Sequence, residues 1–351
     1  MNVGSARAAA VDWVMQHASK EPGFVGAYFS GSTVGKPDDA EISPSSDIDV
    51  VIVTEEAEPP LKLGKFIYQD VLIEATFLSW QDLKSPDNVL ASYHLAGSFR
   101  VDTLMADPTG RLRKLQTEVS RQYADRLWVY RRCENVQARI ITGLRSINAA
   151  APWHDQVTAW LFPTGVTTHL LLVAALRNPT VRLRYLAARQ VLQEYGHEDV
   201  YNQLLNLLGC EQMTSEQVMK HLEGLAQTFD AAADIAKTPF FFSSDITLDA
   251  RAIAVDGSRE LILNGNHREA IFWIVATYAR CHKIFEADAP DLQEVYLHYF
   301  DAVLADLGIH STQDLLERAE RVLEFLPTLW SVTESIIAAN PQVKGKAEQD
   351  V

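Results

Sequence analysis

The 351-residue sequence has only three cysteines, Cys133, Cys210 and Cys281, and no two of them form a CxxC pair. An odd, scattered set excludes a disulfide framework and a cysteine-ligated zinc site. It fits free thiols in a reducing cytosol, so a cytoplasmic protein is expected. Long apolar runs are also lacking. The longest strongly apolar stretch, Leu170–Leu176, is far below the ~20 residues that span a bilayer. No signal peptide is read at the N-terminus, and no membrane partner is expected. Basic residues are in deficit, 31 Lys and Arg against 46 Asp and Glu, for a formal net charge of −15. Between Lys36 and Pro60 the imbalance is eight acids to one base. Proteins that bind DNA or RNA usually carry a basic stripe, so no nucleic-acid partner is expected. A cationic small molecule would be drawn toward such a segment. The alternative is that net negative charge simply keeps the protein soluble.

Several catalytic signatures are missing as well. Gly31-Ser32-Thr33-Val34-Gly35-Lys36 imitates a phosphate-binding P-loop, but one residue too few separates the glycines. Pro37 stands where a serine or threonine must hold the metal. No GxGxxG follows a strand, no HExxH exists for zinc, and no GxSxG nucleophile elbow appears.

What is present centres on residues 24–53. Phe24–Phe29 is apolar and aromatic, as a buried strand is, and Gly31-Ser32 ends it. Gly31 lets the backbone come close to a ligand, and Ser32 offers an N–H and a hydroxyl. Asp47-Ile48-Asp49-Val50-Val51-Ile52-Val53 has strand composition. Asp47 and Asp49 face one side, while Ile48, Val50 and Ile52 face a core. Two like charges about 5–7 Å apart on one strand face repel, and a cation between them relieves that. Oxygen-only, doubly charged ligation suits a hard metal, Mg²⁺ first, and the neighbouring Gly-Ser turn suits a phosphate. A solvated strand end with two acids is the bland counterpart. A third acid, Glu74, is the lone charge in the strand Val71–Leu78.

Gly31-Ser32, the polar loop, Ser46-Asp47-Ile48-Asp49-Val50-Val51-Ile52-Val53 and Glu74 together resemble the signature of the DNA polymerase β-type nucleotidyltransferase superfamily. Its smaller members include the kanamycin, streptomycin and lincosamide nucleotidyltransferases. Ser79-Trp80-Gln81-Asp82-Leu83 resembles the turn into a helix of the kanamycin enzyme. The likeness covers residues 24–83, and the loop before Asp47 is a few residues longer than usual, with Lys36–Pro44 as the insert. The resemblance implies Mg²⁺-dependent transfer of a nucleoside monophosphate, AMP from ATP first, to a hydroxyl of a small-molecule acceptor, with release of pyrophosphate. It implies that Asp47, Asp49 and Glu74 are catalytic and hold one or two Mg²⁺ ions. Gly31 and Ser32 would grip the outer phosphates, and Ser46 would touch a phosphate or fix Asp47. In the antibiotic-modifying relatives a second domain or subunit shapes the acceptor pocket, so a homodimer is admitted. The competing reading is a non-catalytic or regulatory nucleotide-binding module that works with a protein partner.

The expected fold is α+β. Residues 1–111 would form the nucleotidyltransferase domain, a mixed sheet of four or five strands with helices on one side. A helix over 5–20, capped by Ser5, would bury Val11, Val14, Met15 and Ala18 on the back of this sheet. Residues 65–69 and 71–78 read as a hairpin turning at Asp70. Residues 112–343 read as a helical bundle and 344–351 as a polar, frayed tail. Within the bundle, Asn178-Pro179 reads as a helix start, Thr214–Gln217 as a capping box, and 311–325 and 327–339 as separate helices. Arg280 and Lys283 share a helix face and either meet phosphates or are solvated. Phe240–Phe242 either line a cleft or pin a loop into the core.

Overall fold

The computed structural model describes residues 1–345. The order of elements is α1 (Val3–Gln16), β1 (Phe24–Phe29), β2 (Ile48–Thr54), β3 (Gly64–Tyr68), β4 (Val71–Ser79), α2 (Trp80–Leu83), α3 (Pro86–Ala91), β5 (Leu104–Ala106) and α4 (Arg111–Gln122). There follow α5 (Arg126–Arg145), α6 (Trp153–Ala174), α7 (Arg184–Glu194), α8 (Glu198–Leu208), α9 (Ser215–Ile235), α10 (Gly257–Leu263), α11 (His267–Asp288), α12 (Pro290–Asp306) and α13 (Thr312–Ala339). The protein is thus α+β, with a mixed five-stranded sheet followed by a helical region.

Two compact units divide the chain. The first comprises Met1–Asn135, Leu176–Pro179 and the segment from Pro341, and the second Val136–Ala175 and Thr180–Asn340. The first unit therefore runs past the expected limit at residue 111. The reason is local: α4 lays Leu112, Leu115 and Val119 into the same core as Val25, Tyr28 and Val53 of the sheet.

In that unit the strand order is β3-β4-β2-β1-β5. β2 and β4 run parallel, and the other neighbours are antiparallel. Both faces are covered, which corrects the expectation of helices on one side. Ile48, Val50, Ile52, Ile73 and Ala75 pack under α1, whereas Val25, Tyr28 and Val53 pack with Leu83, Val89, Leu90 and the α4 residues. Apolar residues on both sides of the alternating strands demand two layers of cover. The α1 stripe is also rotated from the expected one: Ala6, Ala9, Ala10, Trp13 and Val14 are buried, and Met15 is exposed. Small alanines let the helix lie close to the sheet. Asn2, not Ser5, caps it, by accepting from the Ser5 N–H at 2.8 Å.

The hairpin forms as expected, with Gln69 and Asp70 both at positive φ in a two-residue turn. The insert 36–44 is tied down. Gly4 and Val3 donate to the Asp38 and Ala40 carbonyls at 2.9 and 2.8 Å, and Arg7 pairs with Asp38 at 2.8 Å. Lys344, expected in a frayed tail, donates its N–H to the Ala124 carbonyl at 2.8 Å; residues 346–351 of that tail lie outside the described residues.

In the second unit α11 packs against α6, α9, α10 and α12, and its run Ala270–Ala279 is buried on every side. The capping box at Thr214 and Gln217 opens α9 as read. Helix α13 continues through Pro327 rather than breaking there. Leu315, Ala319, Val322, Leu326, Leu329, Thr333 and Ile336 keep a 3–4 spacing across the proline and stay buried, and that stripe outweighs one lost backbone bond. By length and composition α6 and α13 could each cross a membrane, although 72% of the apolar window of α6 is buried inside the protein.

Candidate functional site

Parallel pairing of β2 with β4 sets Asp49 directly beside Glu74. Asp47 immediately precedes β2, two residues from Asp49 and therefore on the same side of the chain. The three carboxylates each offer an oxygen, and these oxygens lie within 4.8 Å of one another. The expected trio is thus brought together, each member half-buried.

The glycine bend meets it directly. Gly31 has φ +67°, and a Cβ placed there would stand 1.7 Å from Asp49 Oδ2. Only a residue without a side chain lets that carboxylate approach so closely. The Ser32 N–H donates to the Asp49 carboxylate, and Ser30 N–H donates to the Asp49 carbonyl at 3.0 Å. Ser32 is exposed, and its Oγ lies 3.4 Å from Ser46 Oγ. Ser46 therefore meets Ser32, while its N–H closes a turn onto the Ser43 carbonyl at 3.0 Å.

Four residues that the sequence reading did not assign to the site complete it. Lys62 Nζ donates to Glu74 Oε1 and Lys65 Nζ to Glu74 Oε2, each at 2.5 Å. Lys65 also lies 3.2 Å from Asp47 Oδ2. Lys65 faces Glu74 across the β3–β4 ladder, a pairing that follows once the two-residue turn at Gln69-Asp70 fixes the register. Asn178 Nδ2 donates to the Gly31 carbonyl at 2.6 Å. Arg100 holds the Val34 and Gly97 carbonyls and Asn178 Oδ1 at 3.1, 3.2 and 3.4 Å. This corrects the reading of Asn178 as a helix cap, since α7 begins only at Arg184. Nothing local in the sequence ties Asn178 to a glycine 147 positions away.

Electrostatically the cluster is strained toward a cation. Burial first, then the Asp47 and Glu74 charges, push the Asp49 carboxyl well above its ordinary 3.8, with Lys65 opposing. Burial also raises Asp47; Lys65 lowers it again and Glu74 adds to the rise. Below pH 3.8 the Asp49 carboxyl is protonated in both folded and unfolded chains. Above that value the folded chain alone keeps the proton until its own higher value is passed, so stability falls as pH rises through this window. The stability difference between Asp49→Asn and the metal-free wild type should therefore grow in the variant's favour from pH 4.5 to pH 7.5. Urea unfolding of both at the two pH values checks it, and a constant difference would contradict it.

The donor set fits a hard divalent ion. It is all oxygen and carries three negative charges, and oxygens within 4.8 Å of one another need only small rotations to meet an ion about 2.1 Å from each. Asp49 accepts from the Ser32 backbone N–H, whereas Asp47 and Glu74 accept from lysines.

The candidate cations of the helical unit are committed elsewhere. Arg280 pairs with Asp245 at 3.0 Å and Lys283 with Asp155 at 2.7 Å. Phe240 and Phe242 stack on each other, with centroids 5.3 Å apart, beneath Lys283 and Arg280 respectively. The segment is thus pinned onto α11, and Phe241 alone of the three is exposed.

No protein-family model and no curated protein matches the chain.

Proposed function

We propose that this protein is a metal-dependent nucleotidyltransferase, taking ATP first among nucleoside triphosphates and passing the monophosphate to a hydroxyl of a small, cationic acceptor. The observation that carries this reading is the placement of Asp49, in register with Glu74 on β2 and β4 and in contact range of the Gly31 Cα. Lys62 and Lys65 offset the charges of Glu74 and Asp47, but Asp49 is opposed by both of those acids, and ion pairing of its neighbours gives no structural reason for a third acid there. Mg²⁺, when bound, would neutralise charge on the transferring phosphate and lower the pKa of the acceptor hydroxyl. Asp47 and Asp49 are the residues that would hold it, with Glu74 beside them. The exposed Ser32 hydroxyl and the backbone of the bend suit the outer phosphates. The acidic run from Lys36 to Pro60 would favour approach of a cation. Asn178 and Arg100 fix the carbonyls of the bend and so keep its N–H groups aimed.

A regulatory nucleotide-binding module is the second reading, and the two lysines on Glu74 favour it, since they already satisfy the third acid. Two assays test the readings, and the second separates them. Stabilisation by ATP only when Mg²⁺ is present, seen as a rise in unfolding temperature, is expected of both. Pyrophosphate release when aminoglycoside-like hydroxylated cations are added is expected of the enzyme alone. Absence of any Mg²⁺-dependent shift would contradict both.

A further inference from the structure

Resting on the reading above, we infer that Lys65, aided by Lys62, takes the place of a second divalent ion, so that this site binds one metal at Asp47 and Asp49 and keeps a built-in cation at Glu74. Three acids in a cluster would ordinarily admit two ions. Here both oxygens of Glu74 accept charge-assisted bonds of 2.5 Å from separate ammonium groups. Neither lysine is a passing surface contact, for their side chains are only 7% and 6% exposed. Lys65 is held in place by the backbone ladder, as the cross-strand partner of Glu74. From there its Nζ reaches Asp47 Oδ2 at 3.2 Å, so one ammonium bridges two of the three acids, as a shared metal would.

Charge counting leads to the same conclusion. Three carboxylates and two ammonium groups leave one negative charge, which a single divalent ion overcompensates by one. A second ion would stand against two nearly buried lysines with their carboxylate partner taken away, and burying an unpaired charge is costly. The oxygens left for a metal are those of Asp49 and the Asp47 oxygen that is not paired with Lys65. The lysines thus set the metal count while leaving the first site open.

The test uses the 351-residue chain and Mn²⁺ alone, with bound ions counted from loss of the free-ion electron paramagnetic resonance signal. Wild type is expected to bind one Mn²⁺ per chain, and Lys65→Arg, which keeps the charge, one as well. The double variant Lys62→Met/Lys65→Met is expected to bind two, with circular dichroism confirming that it folds. Should the double variant not fold, the single variant Lys62→Met is read instead, and its first ion should bind at least threefold more tightly than in wild type. Two ions in wild type, or one ion bound with unchanged affinity in the folded methionine variants, would overturn the inference while leaving the metal site itself intact. No ion in wild type would remove the underlying site and the inference with it.

Discussion

Asp49→Asn is expected to lower metal-dependent nucleotidyl transfer by on the order of a thousandfold, about 4 kcal/mol of transition-state stabilisation, while the metal-free chain melts at the same temperature or higher. The two halves of this expectation have one cause. Asp49 sits in β2 with Asp47 and Glu74 oxygens within 4.8 Å, and at an effective dielectric of about 20 each such pair of charges repels by on the order of 3 kcal/mol. Asparagine keeps the shape and can still accept the Ser32 N–H, so the fold loses no hydrogen bond. It removes the charge that a divalent ion requires and that burial opposes. A group placed for structure behaves in the opposite way, since its loss lowers stability. Transfer assays with labelled ATP and thermal unfolding with chelator present check both halves. Wild-type activity, or a clear loss of stability without loss of activity, would count against a functional role for Asp49.

Gly31→Ala should be as damaging to function and, unlike Asp49→Asn, should also cost stability. The glycine lies at φ +67°, where an L-residue is strained by about 1–2 kcal/mol. The added methyl would start 1.7 Å from Asp49 Oδ2, which only a turn of the Asp49 side chain can relieve, and 2.9 Å from Asp49 Cβ, which no rotamer moves. Either the bend moves, breaking the bond from Asn178 to the Gly31 carbonyl, or Asp49 swings away from Glu74. The expected result is a loss of about 1–3 kcal/mol, equivalent to a fall of roughly 2–4 °C in melting temperature per kcal/mol for a unit of this size, together with loss of Mg²⁺-dependent stabilisation by ATP. Gly110→Ala makes the control. It too has positive φ, at +72°, but nothing lies within 4 Å of its added Cβ, so it should lose stability by strain alone and keep the metal response.

Much of the first unit was legible because short-range chemistry governs it. Alternation in residues 47–53 places acids and core residues on opposite faces whatever the rest of the chain does. The two-residue turn at Gln69-Asp70 sets the hairpin, and with it the pairing of Lys65 with Glu74. Other features depend on distant parts of the chain. The helix cover on both sheet faces requires knowing that Leu112, Leu115 and Val119 return to the sheet. The role of Asn178 depends on a contact spanning nearly half the sequence. Its Asn-Pro dipeptide signals a helix start equally well in isolation, and tertiary hydrogen bonding decides otherwise. Continuity of α13 through Pro327 is likewise a matter of a buried stripe prevailing over a local breaker. Arg280 and Lys283 share a face as their spacing requires, but spacing does not reveal that Asp245 and Asp155 claim them.

The most direct measurement is a crystal structure of the protein soaked with Mg²⁺ and a non-hydrolysable ATP analogue. It should show the ion bonded to carboxylate oxygens of Asp47 and Asp49, with the triphosphate against the N–H groups of the Gly31-Ser32 bend. A triphosphate bound away from that bend, or an ion that leaves both aspartates untouched, would contradict the account.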